Sequence, residues 1–122
     1  MTGRILVTGS REWTNYATVL RALSASWRFT QALDVVVVQG GAPGADEMAA
    51  RAAKYIGLAV ETHLANWEEL GKKAGPVRNA AMVALGADVC LAFFKKGAGN
   101  RGTTHCSDLA EEAGIPVWRF WE

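Results

Sequence analysis

A glycine-rich segment between a short apolar run and a helical pattern constrains the fold of this chain most strongly. The apolar run, residues 35–38, is too short for a helix and consists of β-branched residues, which is typical of a strand buried on both faces. Gly40, Gly41 and Gly44 follow directly. Apolar residues then recur at helical spacing as far as Gly57, a typical C-cap residue. The sequence therefore predicts a strand, a tight turn and a helix.

The tight turn is a candidate phosphate-binding loop. Glycines let the backbone approach a ligand closely, and free N–H groups at the start of a helix attract anions. A plain turn without a ligand would use Gly40, Gly41 and Gly44 in the same way. Asp46 and Glu47 follow at the start of the helix, where carboxylates complement the helix dipole. Asp46 therefore has two interpretations, a helix-capping residue or an acceptor for a ribose hydroxyl or a base.

The same alternation of strand and helix continues through the chain. Further strands are predicted at residues 5–7, 58–63, 88–94 and 115–121, and further helices at 16–29, 77–85 and from 103 or 104 to 113. This pattern predicts an α/β fold of three layers, with helices on both faces of a five-stranded parallel sheet in the order 3-2-1-4-5. Residues 1–122 are expected to form one domain.

Several small-residue turns are predicted to meet at one edge of this sheet, because ligands of open α/β sheets bind at the carboxyl ends of the strands. Glycine, serine and arginine follow the first strand, and glycine and threonine follow the fourth. Backbone N–H groups and hydroxyls in such positions can hold a phosphate. The predicted ligand-binding residues are Gly9, Ser10, Arg11, Gly40, Gly41, Gly44, Asp46, Arg78, Asn79, Gly102, Thr103 and Thr104.

Arg78 is a candidate anion-binding residue because of its predicted position. Pro76 suits the first turn of a helix, which places Arg78 and Asn79 in that turn. A cation is disfavoured at a helix N-terminus, so a bound anion would explain its presence there. The alternative is an exposed arginine paired with Glu68 or Glu69.

The charge and cysteine content exclude several classes of function. The net charge is +1 and no basic stripe interleaves with aromatic residues, which disfavours nucleic acid as a partner. Cys90 and Cys106 form no CxxC motif, so we expect neither a metal site nor a cofactor, and a reducing, cytoplasmic location fits best. Asp34 and Asp88 interrupt the longest apolar runs, so no membrane-spanning segment is expected.

The aromatic content suggests self-association. Trp118, Phe120 and Trp121 cluster in the last strand, where a preceding proline favours an edge position, and Trp13 and Trp27 add to the aromatic surface. A monomer would leave part of such a surface exposed. We therefore expect a homo-oligomer, which is the usual way to cover it.

The motifs of this chain, in their order, resemble those of a known superfamily. They lie at residues 7–13, 39–46, 67–75, 78–82 and 102–104. Together they resemble the SLOG superfamily and, within it, the small YspA-like group found in bacteria and phages. The resemblance spans nearly the whole chain and implies a Rossmann-like fold that binds a nucleotide or nucleotide-derived ligand. The superfamily includes the LOG enzymes, the DNA-processing protein DprA and sensor domains tied to nucleotide signals in antiviral defence.

Resemblance to the LOG enzymes is incomplete at the catalytic position. These enzymes hydrolyse the N-glycosidic bond of nucleoside 5′-monophosphates and carry an Arg-x-x-x-Met pattern, which Arg78 and Met82 match. They also carry Gly-Gly-x-Gly-Thr-x-x-Glu with a catalytic glutamate. Gly102 and Thr103 match this motif, but Cys106 stands in place of the glutamate.

Two functions therefore remain open. The first is a binding module that holds a phosphorylated nucleotide or nucleotide-derived small molecule as a sensor, carrier or sequestering protein. The second is a LOG-like hydrolase of such a nucleotide, which would need an acid or a stabilising carboxylate. No catalytic residue is assigned, and Asp46, Glu47 and Arg78 are the candidates for that role.

Overall fold

The computed structural model describes residues 2–122, in which strands and helices alternate as the sequence predicts. Its elements are β1 (Thr2–Gly9), α1 (Tyr16–Thr30), β2 (Asp34–Gln39), α2 (Ala45–Ile56), β3 (Ala59–Thr62), α3 (Trp67–Leu70), a 3-10 turn (Gly71–Lys73), α4 (Ala74–Ala84), β4 (Val89–Phe94), α5 (Arg101–Glu112) and β5 (Val117–Trp121). The five strands form one parallel sheet in the order β3-β2-β1-β4-β5. The predicted sheet order is confirmed.

The three central strands, β1, β2 and β4, are largely buried on both faces, and their side chains alternate between two apolar layers. Ile5 and Val7 of β1 pack in the layer under α1 and α2. Leu6, between them, packs in the opposite layer with Met82 of α4 and Cys106 of α5. This period of two is the geometry of an extended chain. It explains why the strands are continuous apolar runs and why helices cover both faces.

Several element boundaries differ from the sequence predictions; β1, for example, spans Thr2–Gly9 rather than residues 5–7. The segment 65–75, for which the sequence predicts neither helix nor strand, contains α3. The Asn66 side chain caps this helix by accepting a hydrogen bond from the Glu69 N–H, and its amide also donates to the Glu69 carboxylate. Helix α4 begins at Ala74, ahead of the predicted range 77–85, and Pro76 is its third residue, within the first turn as predicted. Helix α5 begins at Arg101, ahead of the predicted start at residue 103 or 104.

Most of the aromatic surface is covered within the chain. Trp13 is only 2% exposed and meets Phe93 edge to face at 5.2 Å. Phe120 of β5 stacks against Phe93 of the adjacent strand in the same apolar layer, with ring centroids 5.1 Å apart. Trp121, stacked on Phe94, remains 56% exposed. The homo-oligomer stays a prediction, but the aromatic residues give it less support than their number suggested.

Candidate functional site

A cleft of about 870 Å³ opens at the carboxyl edge of the sheet. Its walls come from the β1–α1 turn, the β2–α2 loop, the segment from α3 to α4, and the first turn of α5. This is the edge at which the sequence predicts a site. The predicted ligand-binding residues that line the cleft are Gly9, Ser10, Arg11, Asp46, Arg78, Asn79, Gly102 and Thr103. The remaining four, Gly40, Gly41, Gly44 and Thr104, do not line it.

The β2–α2 loop uses its own backbone donors internally. The N–H groups of Gly40 and Ala42 donate to Oδ2 of Asp46 at 3.1 and 3.3 Å. The Gly41 N–H donates to the side-chain oxygen of Gln39. A carboxylate within the chain thus occupies the position that a phosphate would take in an open glycine loop.

The glycines of this loop are explained by close packing. A Cβ at Gly40 would overlap the guanidinium group of Arg78. Gly44 has a φ of +77°, and a Cβ there would lie 2.5 Å from the carbonyl oxygens of Ser10 and Arg11. Only glycine combines this backbone conformation with such an approach. The loop is therefore folded tightly against the β1–α1 turn.

The Asp46 carboxylate is buried, and one of its two oxygens has no hydrogen-bond partner among residues 2–122. Its residue is 5% exposed, and Oδ1 has no hydrogen-bond partner among residues 2–122. Burial raises the pKa of Asp46 to about 6, although the Ala42 N–H, the charge of Arg78 and the Gly40 N–H oppose the shift. Asp46 is also one of the residues that line the cleft.

Arg78 connects three parts of the site. Its Nη1 donates to the carbonyl oxygens of Gly40 at 2.9 Å and His63 at 3.3 Å, and its Nε donates to Oδ1 of Asn79 at 2.9 Å. The argument from the helix dipole is wrong, because α4 begins at Ala74 and Arg78 is its fifth residue. The alternative pairing with Glu68 or Glu69 is also absent among the described residues.

The start of α5 presents backbone donors to the cleft. Asn100 folds the preceding loop by accepting a hydrogen bond from the Lys95 N–H at 2.9 Å and donating to the carbonyl oxygens of Lys95 and Ala98. The first N–H groups of any helix have no intrahelical acceptor. Within residues 2–122 no side chain caps α5, so these groups have no side-chain acceptor at the cap either. Gly102 and Thr103 lie in this turn and line the cleft. The Thr104 N–H, by contrast, already donates to the Asn100 carbonyl.

Trp67 stands at the rim of the cleft. The ring packs over Gly75, where a Cβ would lie 3.2 Å away, and the guanidinium carbon of Arg11 lies 5.6 Å from the ring centroid. Trp67 is 49% exposed, so about half of its surface remains accessible. The sequence prediction did not include Trp67 among the site residues, and Lys72 and His105 of the lining were also missed. Their positions depend on α3 and on the exact start of α5.

Cys106 is a buried, neutral thiol. Burial raises its pKa to about 11, the nearby charge of Asp46 also raises it, and a hydrogen bond with Thr8 opposes the shift. The nearest acid on the same helix, Asp108, lies outside the cleft, 3.9 Å from Arg119. Neither residue therefore supplies a carboxylate to the cleft, whereas Asp46 does so from α2.

Residues 2–122 show neither a metal-binding cluster nor a membrane-spanning helix. That part of the chain contains no group of three or more His, Cys, Asp or Glu side chains placed to hold a metal ion. None of its helices is long and apolar enough to cross a membrane.

A sequence profile of the YspA, cpYpsA-related SLOG family (YAcAr) matches residues 3–69. This chain belongs to that family. A relative, the Gene 61 protein of Mycobacterium phage D29, is 47% identical, and the alignment covers 96% of this chain and 95% of the phage protein. The family resemblance inferred from the sequence motifs is thereby confirmed.

Two solved structures of low sequence identity share the fold of this SLOG protein. TM1055, a structural genomics target, superposes with a TM-score of 0.63 at 18% identity, covering 94% of this chain and 72% of TM1055. DNA processing protein A from Helicobacter pylori, described as binding single-stranded DNA, superposes with the same TM-score of 0.63 at 16% identity. That match covers 96% of this chain and 64% of the Helicobacter protein. Both confirm a Rossmann-like fold.

Proposed function

We propose that this SLOG protein binds a phosphorylated nucleotide or a nucleotide-derived small molecule in the cleft, as a sensor, carrier or sequestering protein. The observation that carries the proposal is the convergence of an uncapped helix start and an accessible tryptophan face in one cleft. A helix start favours an anion, and an aromatic face favours a base. The cleft volume is also within the range of small-molecule sites.

The two ends of the cleft differ in the chemistry they offer. At the start of α5, Gly102 and Thr103 supply backbone donors. Arg11, whose guanidinium lies over Trp67, and Lys72 add positive charge to the lining. Trp67 supplies the stacking surface at the rim. A 5′-phosphate at the α5 start, with the base directed towards Trp67, uses both features at once.

Isothermal titration calorimetry tests this proposal with the four common ribonucleoside 5′-monophosphates and the corresponding nucleosides. At least one monophosphate should bind, about tenfold or more tightly than its nucleoside, because charge-assisted hydrogen bonds to phosphate are strong. Equal affinity for nucleoside and monophosphate would refute phosphate recognition. Stronger binding of a short single-stranded oligodeoxynucleotide than of any mononucleotide would instead favour nucleic acid as the ligand.

A second candidate is hydrolysis of the N-glycosidic bond of such a nucleotide. Asp46 favours it, since a carboxylate with a raised pKa in a cleft is a typical general acid or base. Chromatography of each monophosphate after incubation with the protein would detect free base. Release by the wild type that Asp46→Asn abolishes supports the hydrolase, whereas intact nucleotide supports the binding module.

A further inference from the structure

Asp46 combines two features that a helix-capping residue does not need. One oxygen, Oδ2, already accepts the N–H groups of Gly40 and Ala42, which completes its role in folding the loop. The other, Oδ1, is buried without a partner among residues 2–122 and belongs to a side chain of the cleft lining. Leaving a buried carboxylate oxygen without a hydrogen bond is costly, and in native structures such groups are rare.

The missing partner must be a hydrogen-bond donor. An ionised carboxylate oxygen accepts and cannot donate, so an O–H or N–H group satisfies it and a phosphate oxygen does not. A phosphate beside Asp46 would also be repelled by its charge. The anionic end of the ligand therefore belongs at the α5 start, and an uncharged, donor-bearing part belongs at Asp46.

Hydrogen bonds within the protein relate these two positions. Arg78 connects the Gly40 carbonyl, beside Asp46, to Asn79, and the Asn79 amide donates to the Gly102 carbonyl at 3.4 Å. Asp46 and the α5 start thus lie at the two ends of a short chain of contacts along one side of the cleft. A ligand that contacts both positions needs a donor at one and an anionic group at the other, and the sugar hydroxyls and phosphate of a nucleotide supply this pair.

We propose that Oδ1 of Asp46 accepts a hydrogen bond from a ribose hydroxyl, so that the cleft selects ribonucleotides over deoxyribonucleotides. The inference rests on the proposed nucleotide binding and names the group by which that site recognises the sugar. The sugar is favoured over the base as the source of the donor. Asp46 is a buried residue of the cleft lining, whereas half-exposed Trp67 can stack on the base, which places the sugar nearer to Asp46.

Asp46→Asn is a well-matched test of this contact. The asparagine carbonyl can still accept from Gly40 and Ala42, which retains the loop, while its amide directs donors to the position of Oδ1. A hydroxyl that bound Oδ1 then meets a donor instead of an acceptor. Asp34→Asn is the control, since it makes the same chemical change at an exposed site at the opposite edge of the sheet.

The measurement is calorimetric titration of the wild type and both variants with AMP, 2′-deoxy-AMP, 3′-deoxy-AMP and purine riboside 5′-monophosphate. The wild type and Asp34→Asn should bind AMP about 10- to 100-fold more tightly than the deoxy compound that lacks the contacting hydroxyl. Asp46→Asn should bind AMP more weakly and lose that preference. Thermal melting confirms that each variant is folded.

The other outcomes separate the inference from the proposed function. If the nucleotides bind and Asp46→Asn keeps the full preference for ribose, the role of Asp46 is refuted while nucleotide binding stands. If both deoxy compounds bind like AMP but purine riboside monophosphate binds weakly, the donor is the amino group of the base and the sugar assignment is wrong. If the wild type binds none of the four, nor any of the other ribonucleoside monophosphates, the proposed function fails and the inference fails with it.

Discussion

The two glycine-rich loops of this protein look alike in sequence and differ in what they do with their backbone. In the β2–α2 loop, Asp46 accepts the N–H groups of Gly40 and Ala42, and the glycines allow close packing. In the β4–α5 loop, Asn100 shapes the turn, and the N–H groups that begin α5 remain available to the cleft. The hydrogen bonds of the first loop are thus completed by the protein itself, whereas within residues 2–122 no side chain caps the helix that follows the second loop.

The two loops contain glycine for different structural reasons. Around Gly44, the backbone carbonyls of Ser10 and Arg11 leave no room for a side chain. A Cβ added at Gly102 would meet no other atom of residues 2–122 within 4 Å, apart from its two chain neighbours and the nearby backbone of α5. Glycine is required by packing in one loop and leaves open space beside the cleft in the other.

Gly44→Ala should therefore have the largest effect on stability. The residue has a φ of +77°, and its Cβ would overlap backbone atoms that cannot move without distorting the β1–α1 turn. We expect a loss of about 3 kcal/mol or more in the free energy of unfolding. Urea denaturation measures it, with Gly99→Ala in the other loop as the control. A loss below about 1 kcal/mol would mean that the first loop is not held as tightly as its contacts imply.

Asp46→Asn should stabilise the free protein at high pH. The pKa of Asp46 is raised to about 6 in the folded state from 3.8, so the folded protein binds more protons between these values and wild-type stability falls as pH rises through them. Asparagine carries no such penalty. The variant should match the wild type near pH 4 and exceed it by up to about 3 kcal/mol at pH 8.

The difference in unfolding free energy between the two proteins, measured at several pH values, removes the contribution of other titrating groups. A difference that stays constant between pH 4 and pH 8 would show that Asp46 ionises in the fold without penalty. Stabilisation on removing a native charge is typical of functional positions, where stability is given up for activity.

Arg78→Ala tests the connection between the two loops. Its guanidinium donates to the Gly40 and His63 carbonyls and to Asn79, so truncation leaves these acceptors without a partner. We expect a loss of about 1–2 kcal/mol in stability, together with weaker nucleotide binding. Arg21→Ala, at an exposed position on α1, is the control for loss of charge. An unchanged melting temperature of the ligand-free variant would show that these three contacts of Arg78 do not stabilise the fold.

The sequence predicted the fold better than the site because strands and turns carry local signals. Buried β-branched runs followed by glycines located β2 and the carboxyl edge, and Gly57 was recognised as a helix end. The role of Asp46 was left open, because its contact with Gly40 and Ala42 depends on how tightly the loop turns. Helix α3 had a usable signal, the pair Asn66 and Glu69, that a capping-box search would have found.

Gly102→Ala should give the smallest effect on stability, in the opposite direction to Gly44→Ala. Position 102 is in the first turn of α5, where alanine favours a helix over glycine, so stability should rise by about 0.5–1 kcal/mol. The added methyl group lies beside the N–H groups proposed to hold the phosphate, and should weaken monophosphate binding while leaving nucleoside binding unchanged. Denaturant titration and calorimetry measure the two effects on the same samples. If Gly102→Ala destabilised the protein, or weakened binding of nucleoside and monophosphate equally, the start of α5 would not be the open phosphate site that distinguishes the second loop from the first.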